Sequence, residues 1–451
     1  MDQGLARFRH GADFGLQYRV LASYKRVTPM LSEIDLPPHH FQPHAPPVLL
    51  LGGINLVRTL GLAGIAAIVA SPDPHDSVFA SRYCVGRCVL PPLEHSEAVA
   101  DRLITLGDRL SAACGRRVPL MYGSDDFLAL IYAHRERLQR YFLLALNDSE
   151  VGEALLDKDR FDALARARSL PVPLALAWHG RGAGTLADAK GAVLCKPRCK
   201  IDWHASPLHT RLFARDAKAR VFSSGAEVLA HPQVALCHEQ LIFQDYVEGE
   251  DRQLWSFHGV ADDLGGLLAC FSGRKLRTFP ALTGESAFIE LAPDEALEAL
   301  GRDIARRLPL KGVFKMDFKK DRDGRFRLLE INARFNLWLY LGAHNGLNLM
   351  RVAYDYLLTG ARPPPRQARA TYRWLSLSLD YRAYRESAAA KRLGLLAWLF
   401  SILNSRNIYN VFAWRDPAPW VRFWLTRFSR LWVRSSQRVL GVVRQWLSTA
   451  S

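Results

Sequence analysis

Uninterrupted apolar runs alternate along this chain with amphipathic stretches. The first, VLLLGG (Val48 to Gly53), predicts a strand buried on both faces that opens onto a glycine turn. A helical segment follows from Leu56, and GIAAIVASPDP predicts a second strand, so this region reads as the start of a βαβ unit. VPLMYGSDD predicts a further strand whose polar end lies where open α/β sheets bind ligands. The GGINLV turn lacks the spacing of a dinucleotide fingerprint, and Asp73 after the second strand supports that reading only thinly. Gly52 and Gly53 fit a tight strand-to-helix turn and a substrate loop equally well.

From Leu155 the pattern changes. LLDKDRFDALARARSLPVP predicts a short helix ending before prolines, GAVLCKP a strand carrying Lys196, and LIFQDYV another strand, followed by the acidic turn EGED. GVFKMDFKKDRDGRFRLLEINARFN predicts a hairpin with a turn at Asp323-Gly324. On its first arm Phe314, Met316 and Phe318 share one face and Lys315, Asp317 and Lys319 the other, because side chains alternate along a strand. On its second arm Glu330, Asn332 and Arg334 point one way, and Leu329, Ile331 and Ala333 the other. One face is therefore packed and the other chemical.

Composition adds boundaries. The 451 residues are 49% hydrophobic and 23% charged, a globular balance with room for two or three domains. Residues 1–46 end in LPPHHFQPHAPP and read as an extension and linker, 47–150 as the α/β domain, 151–365 as a second body and 366–451 as a basic helical module. The net charge of +16 is concentrated in that module: from Ala361 onward 16 Arg or Lys face three acids, leaving +13. Seven of the eleven tryptophans lie there too. Seven scattered cysteines read as reduced thiols in a cytosolic chain, and the pairs Cys84 with Cys88 and Cys195 with Cys199 lack zinc-site spacing.

Asp317 facing Glu330 and Asn332 across the hairpin would gather three hard oxygen donors, a set that suits magnesium in the company of phosphates. Lys158 and Lys196 would neutralise those phosphates. Taken singly each lysine reads as a surface charge, and the hairpin as two solvated strands with cross-strand ion pairs.

The order of the parts resembles the ATP-grasp superfamily: the lysine of LLDKDRF, the lysine of VLCKP, the hinge strand LIFQDYVEGED, and the pair GVFKMDF and LLEINAR. The resemblance covers about Asp157 to Gly360 and extends to the preceding α/β domain. It implies a Rossmann-like N-terminal domain, an ATP-grasp body of two subdomains clamping ATP, and a basic helical tail, in an α/β and α+β chain. It further implies that Lys158 and Lys196 contact ATP phosphates, with Lys196 also near the adenine. Gln244, Asp245 and Val247 would line the adenine edge, and Asp251 would take the ribose position of D-alanine:D-alanine-ligase-like members. Asp317, Glu330 and Asn332 match the ligands of two Mg2+ ions, for which Mn2+ would substitute, and Glu330 would bridge them. Arg334 matches the arginine of the EINxR pattern. Arg274 and Lys275 in FSGRKLRTFP look like the basic loop of a carboxylate-amine-ligase-like subgroup, as do NGLNL and DPAPW. PRCKIDWH lacks the glycine-rich flap of many members, which leaves Lys200 or His204 to serve there.

The implied reaction is ATP-dependent formation of an acylphosphate from a small carboxylate, followed by attack of an amine or, less often, a thiol. Stopping at phosphoryl transfer, as a kinase, and binding nucleotide without turnover, as a scaffold, are the alternatives. No convincing Ser/His/Asp or Cys/His set is present, and His344 in GAHNG reads as a loop histidine in preference to an acceptor-positioning one. From Trp420, Val421, Trp424, Phe428, Leu431, Val439, Val442 and Trp446 recur near helical spacing, with Arg427, Arg430, Arg434 and Arg438 mostly on another face. Such a helix suits packing on the body, a second subunit or an anionic membrane surface, which would place the cytoplasmic chain at the inner face of the membrane. LGLLAWLFSIL is too short to span a bilayer, and no nucleic-acid motif accompanies the arginines.

Overall fold

A computed structural model of the chain describes residues 34–37, 41–180, 184–198, 212–213, 219–386 and 394–427. Most of the N-terminal extension, the segment with Lys200 and His204, and the tail from Phe428 with its expected helical repeat lie outside the described residues.

The first sheet contains β1 (Ile34–Asp35), β2 (Val48–Leu51), β3 (Ala67–Ser71), β4 (Cys84–Val89), β5 (Val118–Tyr122) and β6 (Phe142–Leu144), in the order β1-β4-β3-β2-β5-β6. All its pairs are parallel except β1 with β4. Alternation explains why VLLL carries no polar residue. Val48 and Leu50 pack toward α1 (Ile54–Leu62), and Leu49 and Leu51 toward α2 (Ser96–Cys114), so each face meets an apolar helix. The strand order reverses between β2 and β5, where Gly123 N donates to Leu51 O at 2.8 Å. A Cβ on Gly52 would lie 2.7 Å from Leu56 Cδ1, and one on Gly123 2.8 Å from the same atom, so close packing accounts for Gly52. α3 (Asp125–Ala133) starts beside this crevice, capped by Ser124.

Past α4 (Lys158–Ala167), the second sheet holds β7 (Ala175–Leu176), β8 (Val193–Pro197), β9 (Arg220–Phe222) and β10 (Leu241–Asp245), ordered β7-β10-β8-β9 and antiparallel throughout. Val193, Cys195 and Phe243 enter its core, which turns Lys196 and its cross-strand partner Ile242 to the other face.

The third sheet has seven strands: β11 (Leu254–Ala261), β12 (Leu267–Phe279), β13 (Glu285–Leu291), β14 (Gly312–Lys320), β15 (Phe326–Asn332), β16 (Arg373–Leu375) and β17 (Asn407–Tyr409), ordered β15-β14-β11-β12-β13-β16-β17. Phe257, Phe314, Met316 and Phe318 pack with Leu297 and Ile304 of α5 (Glu295–Arg307). On the other face Val260, Phe271 and Val313 join Trp338 of α6 (Trp338–His344) and the α1 side of the first sheet in one core.

The segment read from sequence as a helical module also supplies strands β16 and β17, and β17 is the only parallel addition to this sheet among the described residues. Its helices α7 (Leu377–Glu386) and α8 (Leu395–Ile402) are anchored by Asp380, which accepts from Arg277 Nε at 2.6 Å and Trp398 Nε1 at 2.9 Å. Residues 418–427 are helical. No described helix is long and apolar enough to cross a membrane.

Candidate active site

The site is built on the hairpin of β14 and β15, joined through Asp321–Arg325 with Gly324 at φ +77°. Asp317 pairs with Glu330 and Lys315 with Asn332, so all four side chains rise from one face. Asn332 Nδ2 donates to Glu330 Oε1 at 3.1 Å and to Asp317 Oδ2 at 3.4 Å. The three expected oxygen-bearing side chains are thus brought together. Ser256, on the neighbouring β11, donates to Asp317 Oδ1 at 2.8 Å, and Lys315 Nζ lies 2.6 Å from Oδ2. Burial opposes ionisation of Asp317, but Lys315, Lys275 and Ser256 outweigh it and hold the carboxyl well below its usual range. Desolvation and the Asp317 charge likewise work against Glu330, whose pKa is nevertheless lowered by Lys315, Asn332 and Lys196.

One sequence expectation fails on this hairpin. Plain alternation put Leu329 on the packed face with Ile331, but the pairing slips by one residue between Asp317 and Phe318. This bulge sends Leu328 into the core beside Ile331 and leaves Leu329 lining a cavity next to Glu330.

That cavity, of about 320 Å³, lies between the second sheet, α4 and β15; its lining includes Lys158, Lys196, Gln244, Trp178, His238 and Leu329. Lys158 opens α4, where Asp157 accepts from the backbone N–H groups of Asp159 and Arg160 at 2.8 and 3.2 Å. Lys196 is pushed down to about 8, chiefly by desolvation, while Glu330 and Asp162 support its charge and Lys158 opposes it. Gln244 lines the cavity, and Asp245 ends β10 outside the lining, with Val247 just beyond. The Asp251 carboxylate accepts from Thr278 N, Thr278 Oγ1 and Leu282 N at 2.7, 2.8 and 2.8 Å, fixing the turn after β12.

Arg274 and Lys275, expected on a loop, lie within strand β12, and alternation separates them. Lys275 Nζ stands 3.8 Å from Asp317 Oδ1, whereas Arg274 turns to the opposite face, bonds Glu290 Oε1 at 2.7 Å and sits over Trp255. Arg334 reaches across to the first sheet's crevice. Its Nε and Nη2 donate to Asp125 Oδ1 and Oδ2 at 2.6 and 3.4 Å, and Nη2 also donates to Asn332 Oδ1 at 3.2 Å. His344 lies between the rings of Tyr340 and Tyr372, with burial and Arg415 pushing it down to about 4, as a packed rather than a chemical histidine.

Sequence reasoning missed four neighbours of these residues. Lys315 and Lys319 were visible as alternating partners of Asp317; Lys319 Nζ lies 3.2 Å from the hydroxyl of Tyr246. Ser256 carried no local signal, lying 61 residues from its partner, and Asp125 showed only as part of the polar end of VPLMYGSDD, 209 residues from Arg334. Among the described residues, no group of three or more His, Cys, Asp or Glu could hold a metal ion, so the site offers two carboxylates and one amide. That donor set fits a hard cation completed by a ligand's own oxygens and water.

A family model described as "ATP-grasp in the biosynthetic pathway with Ter operon" matches residues 266–377. A curated D-aspartate ligase of Enterococcus faecium (strain Aus0004) is 22% identical over 274 residues, 58% of this chain and 64% of that protein's length. The L-amino acid ligase of Bacillus licheniformis shares the fold at TM-score 0.50 and 14% identity, over 73% of this chain and 78% of its own. So does the biotin carboxylase domain of Hydrogenobacter thermophilus 2-oxoglutarate carboxylase, crystallised with MgADP, at TM-score 0.52 and 13% identity over 72% of each chain. Residues 266–377 thus match an ATP-grasp family model, and the chain shares its fold with these ligase and carboxylase structures.

Proposed function

We propose that the protein is an ATP- and Mg2+-dependent ligase that joins a small carboxylate to an amine through an acylphosphate, releasing ADP and phosphate. The observation that carries this reading is the convergence of Asp317, Glu330 and Asn332 on one sheet face, next to Lys196 and a cavity large enough for part of a nucleotide. Asp317, Glu330 and Asn332 would hold two Mg2+ ions, with Mn2+ accepted in their place; the bound metal would neutralise phosphate charge as it is transferred. Lys158 and Lys196 would hold the phosphates, Gln244 with the backbone of Asp245 and Val247 the adenine edge. Asp251 would border the ribose through the turn it fixes.

A carboxylate oxygen attacks the γ-phosphorus as the bond to the β-phosphate oxygen breaks and ADP leaves. The amine nitrogen then attacks the acyl carbon, phosphate departs and the nitrogen sheds a proton. No protein nucleophile is needed, so positioning and charge dominate. Lys275 and Arg334, which flank the metal set on the same side, would meet the reacting carboxylate. Lys315 and Ser256 keep Asp317 ionised and oriented. Arg274, bound to Glu290 on the other face, would act from behind the sheet by holding β12 in register. We place the enzyme in the cytoplasm, where its seven scattered cysteines would stay reduced.

The test is an ATP-dependent phosphate-release screen across carboxylate and amine pairs. Amino acids come first, because the curated relative is named a D-aspartate ligase and one structural neighbour an L-amino acid ligase. ADP formation that requires both partners supports ligation. Stable phosphorylated product without an amine would point to a kinase, and no turnover with any pair to a scaffold.

Two further outcomes are expected. Lys196 is cationic below about 8 and neutral above it, so affinity for MgATP should hold at neutral pH and weaken as pH rises through about 8. Isothermal titration across that range checks it, and Lys196→Arg should flatten the profile. Asp125→Asn should free Arg334 from its orienting partner and lower kcat about 10–100-fold, with little change in nucleotide affinity. An unchanged kcat would remove Asp125 from the positioning of Arg334.

A further inference from the structure

Helix α8 is apolar on two sides. Trp398 and Ile402 turn inward against Phe288 and Leu375, whereas Leu395, Leu396, Phe400 and Leu403 stand outward at 57, 71, 76 and 73% exposure. Leu396, Phe400 and Leu403 recur at i, i+4 and i+7, which makes one stripe. The helix over residues 418–427 repeats the arrangement with Trp420, Val421, Trp424 and Leu425, all more than a third exposed, and Trp414 before it is 87% exposed. Exposed apolar area of this extent marks a surface that is covered in use.

Charge decides among the occupants. Of the three acids after Ala361, Asp380 and Asp416 are buried against Arg277 and Arg58; of the 16 Arg or Lys, Arg362 and Arg373 pair with Asp262 and Glu290, so the segment keeps a large cationic excess with Glu386 its remaining acid. A second copy docking here would bring like charges together. Residues 428–451 carry four arginines and no acid, so they would add to the excess. An anionic surface with an apolar interior answers both features at once.

We propose that the exposed apolar stripes of α8 and of the helix over 418–427 bind the surface of an anionic lipid bilayer. Leu396, Phe400 and Leu403 enter the acyl boundary, tryptophans lie at the headgroup level, and the arginines of the segment, Arg422 and Arg427 among them, meet lipid phosphates. The protein lies on the membrane without crossing it. None of the residues named for this surface is one assigned to the hairpin site, and binding here does not depend on the proposed chemistry.

Cosedimentation of the full chain with vesicles tests this. Binding is expected with phosphatidylcholine mixed with phosphatidylglycerol and absent with phosphatidylcholine alone, and it should weaken as salt is raised. Phe400→Asp should weaken it at least about tenfold, with an unchanged thermal midpoint. Leu396→Asp should do the same and serves if the first variant does not fold. Failure of the unmodified chain to bind mixed vesicles, or unchanged binding by both variants, overturns the proposal. So does a concentration-dependent dimer that Phe400→Asp dissolves, which would make the face a subunit contact.

Discussion

Glu330→Gln should lower ATP-dependent phosphate release at least about 10²–10³-fold while leaving the fold in place. The substitution keeps the volume and leaves an oxygen for Asn332 Nδ2, which now bonds Glu330 Oε1 at 3.1 Å, so the hairpin loses no packing. It removes one of the two negative charges among the three converging oxygen donors. It also withdraws the carboxylate that supports the charge on Lys196, so desolvation would depress that lysine further. Phosphate release under saturating nucleotide and substrates, with the thermal midpoint as control, measures the effect. Full turnover by this variant would sink the site assignment.

Asp416→Ala should destabilise the protein by about 3–5 kcal/mol, because it strands a buried guanidinium. Arg58, on α1, and Asp416 are each about 1% exposed. Arg58 Nε donates to Asp416 Oδ2 at 2.9 Å, and its Nη2 donates to the carbonyls of Val411 and Asp416 at 2.9 Å each. Ser81 Oγ and Arg82 N donate to the same carboxylate at 2.8 and 2.9 Å. The pair therefore pins the C-terminal segment to the first sheet's helix. Replacing both residues by apolar ones, Arg58→Met with Asp416→Leu, should cost much less than the single change, since no charge is left unpaired. Urea midpoints for the single and double variants decide it; a single-variant loss under about 1 kcal/mol would deny the pair its role.

Much of the site was legible because strand alternation is local. Phe314, Met316 and Phe318 enter the core and Lys315 and Asp317 do not, as the period of two requires. The same rule, applied without the bulge, misplaced Leu329, since a bulge depends on how the partner strand pairs. Reading FSGRKLRTFP as a loop hid the fact that one strand cannot send both Arg274 and Lys275 to the same side. The tail was read from its helical spacing alone, and spacing does not reveal that three-residue stretches such as Arg373–Leu375 and Asn407–Tyr409 complete a sheet edge.

What the chain's own order of residues determined was the succession of strands and helices, the hairpin, and the chemical face carrying Asp317, Glu330 and Asn332. These follow from hydrophobic period and turn chemistry within a few residues. Only the tertiary structure decided that Ser256 and Lys315 orient Asp317, that Asp125 holds Arg334, and that Arg58 meets Asp416 across 358 residues. Such partners are chosen by how separate layers pack, and a buried charge accepts whichever opposite group that packing delivers to it.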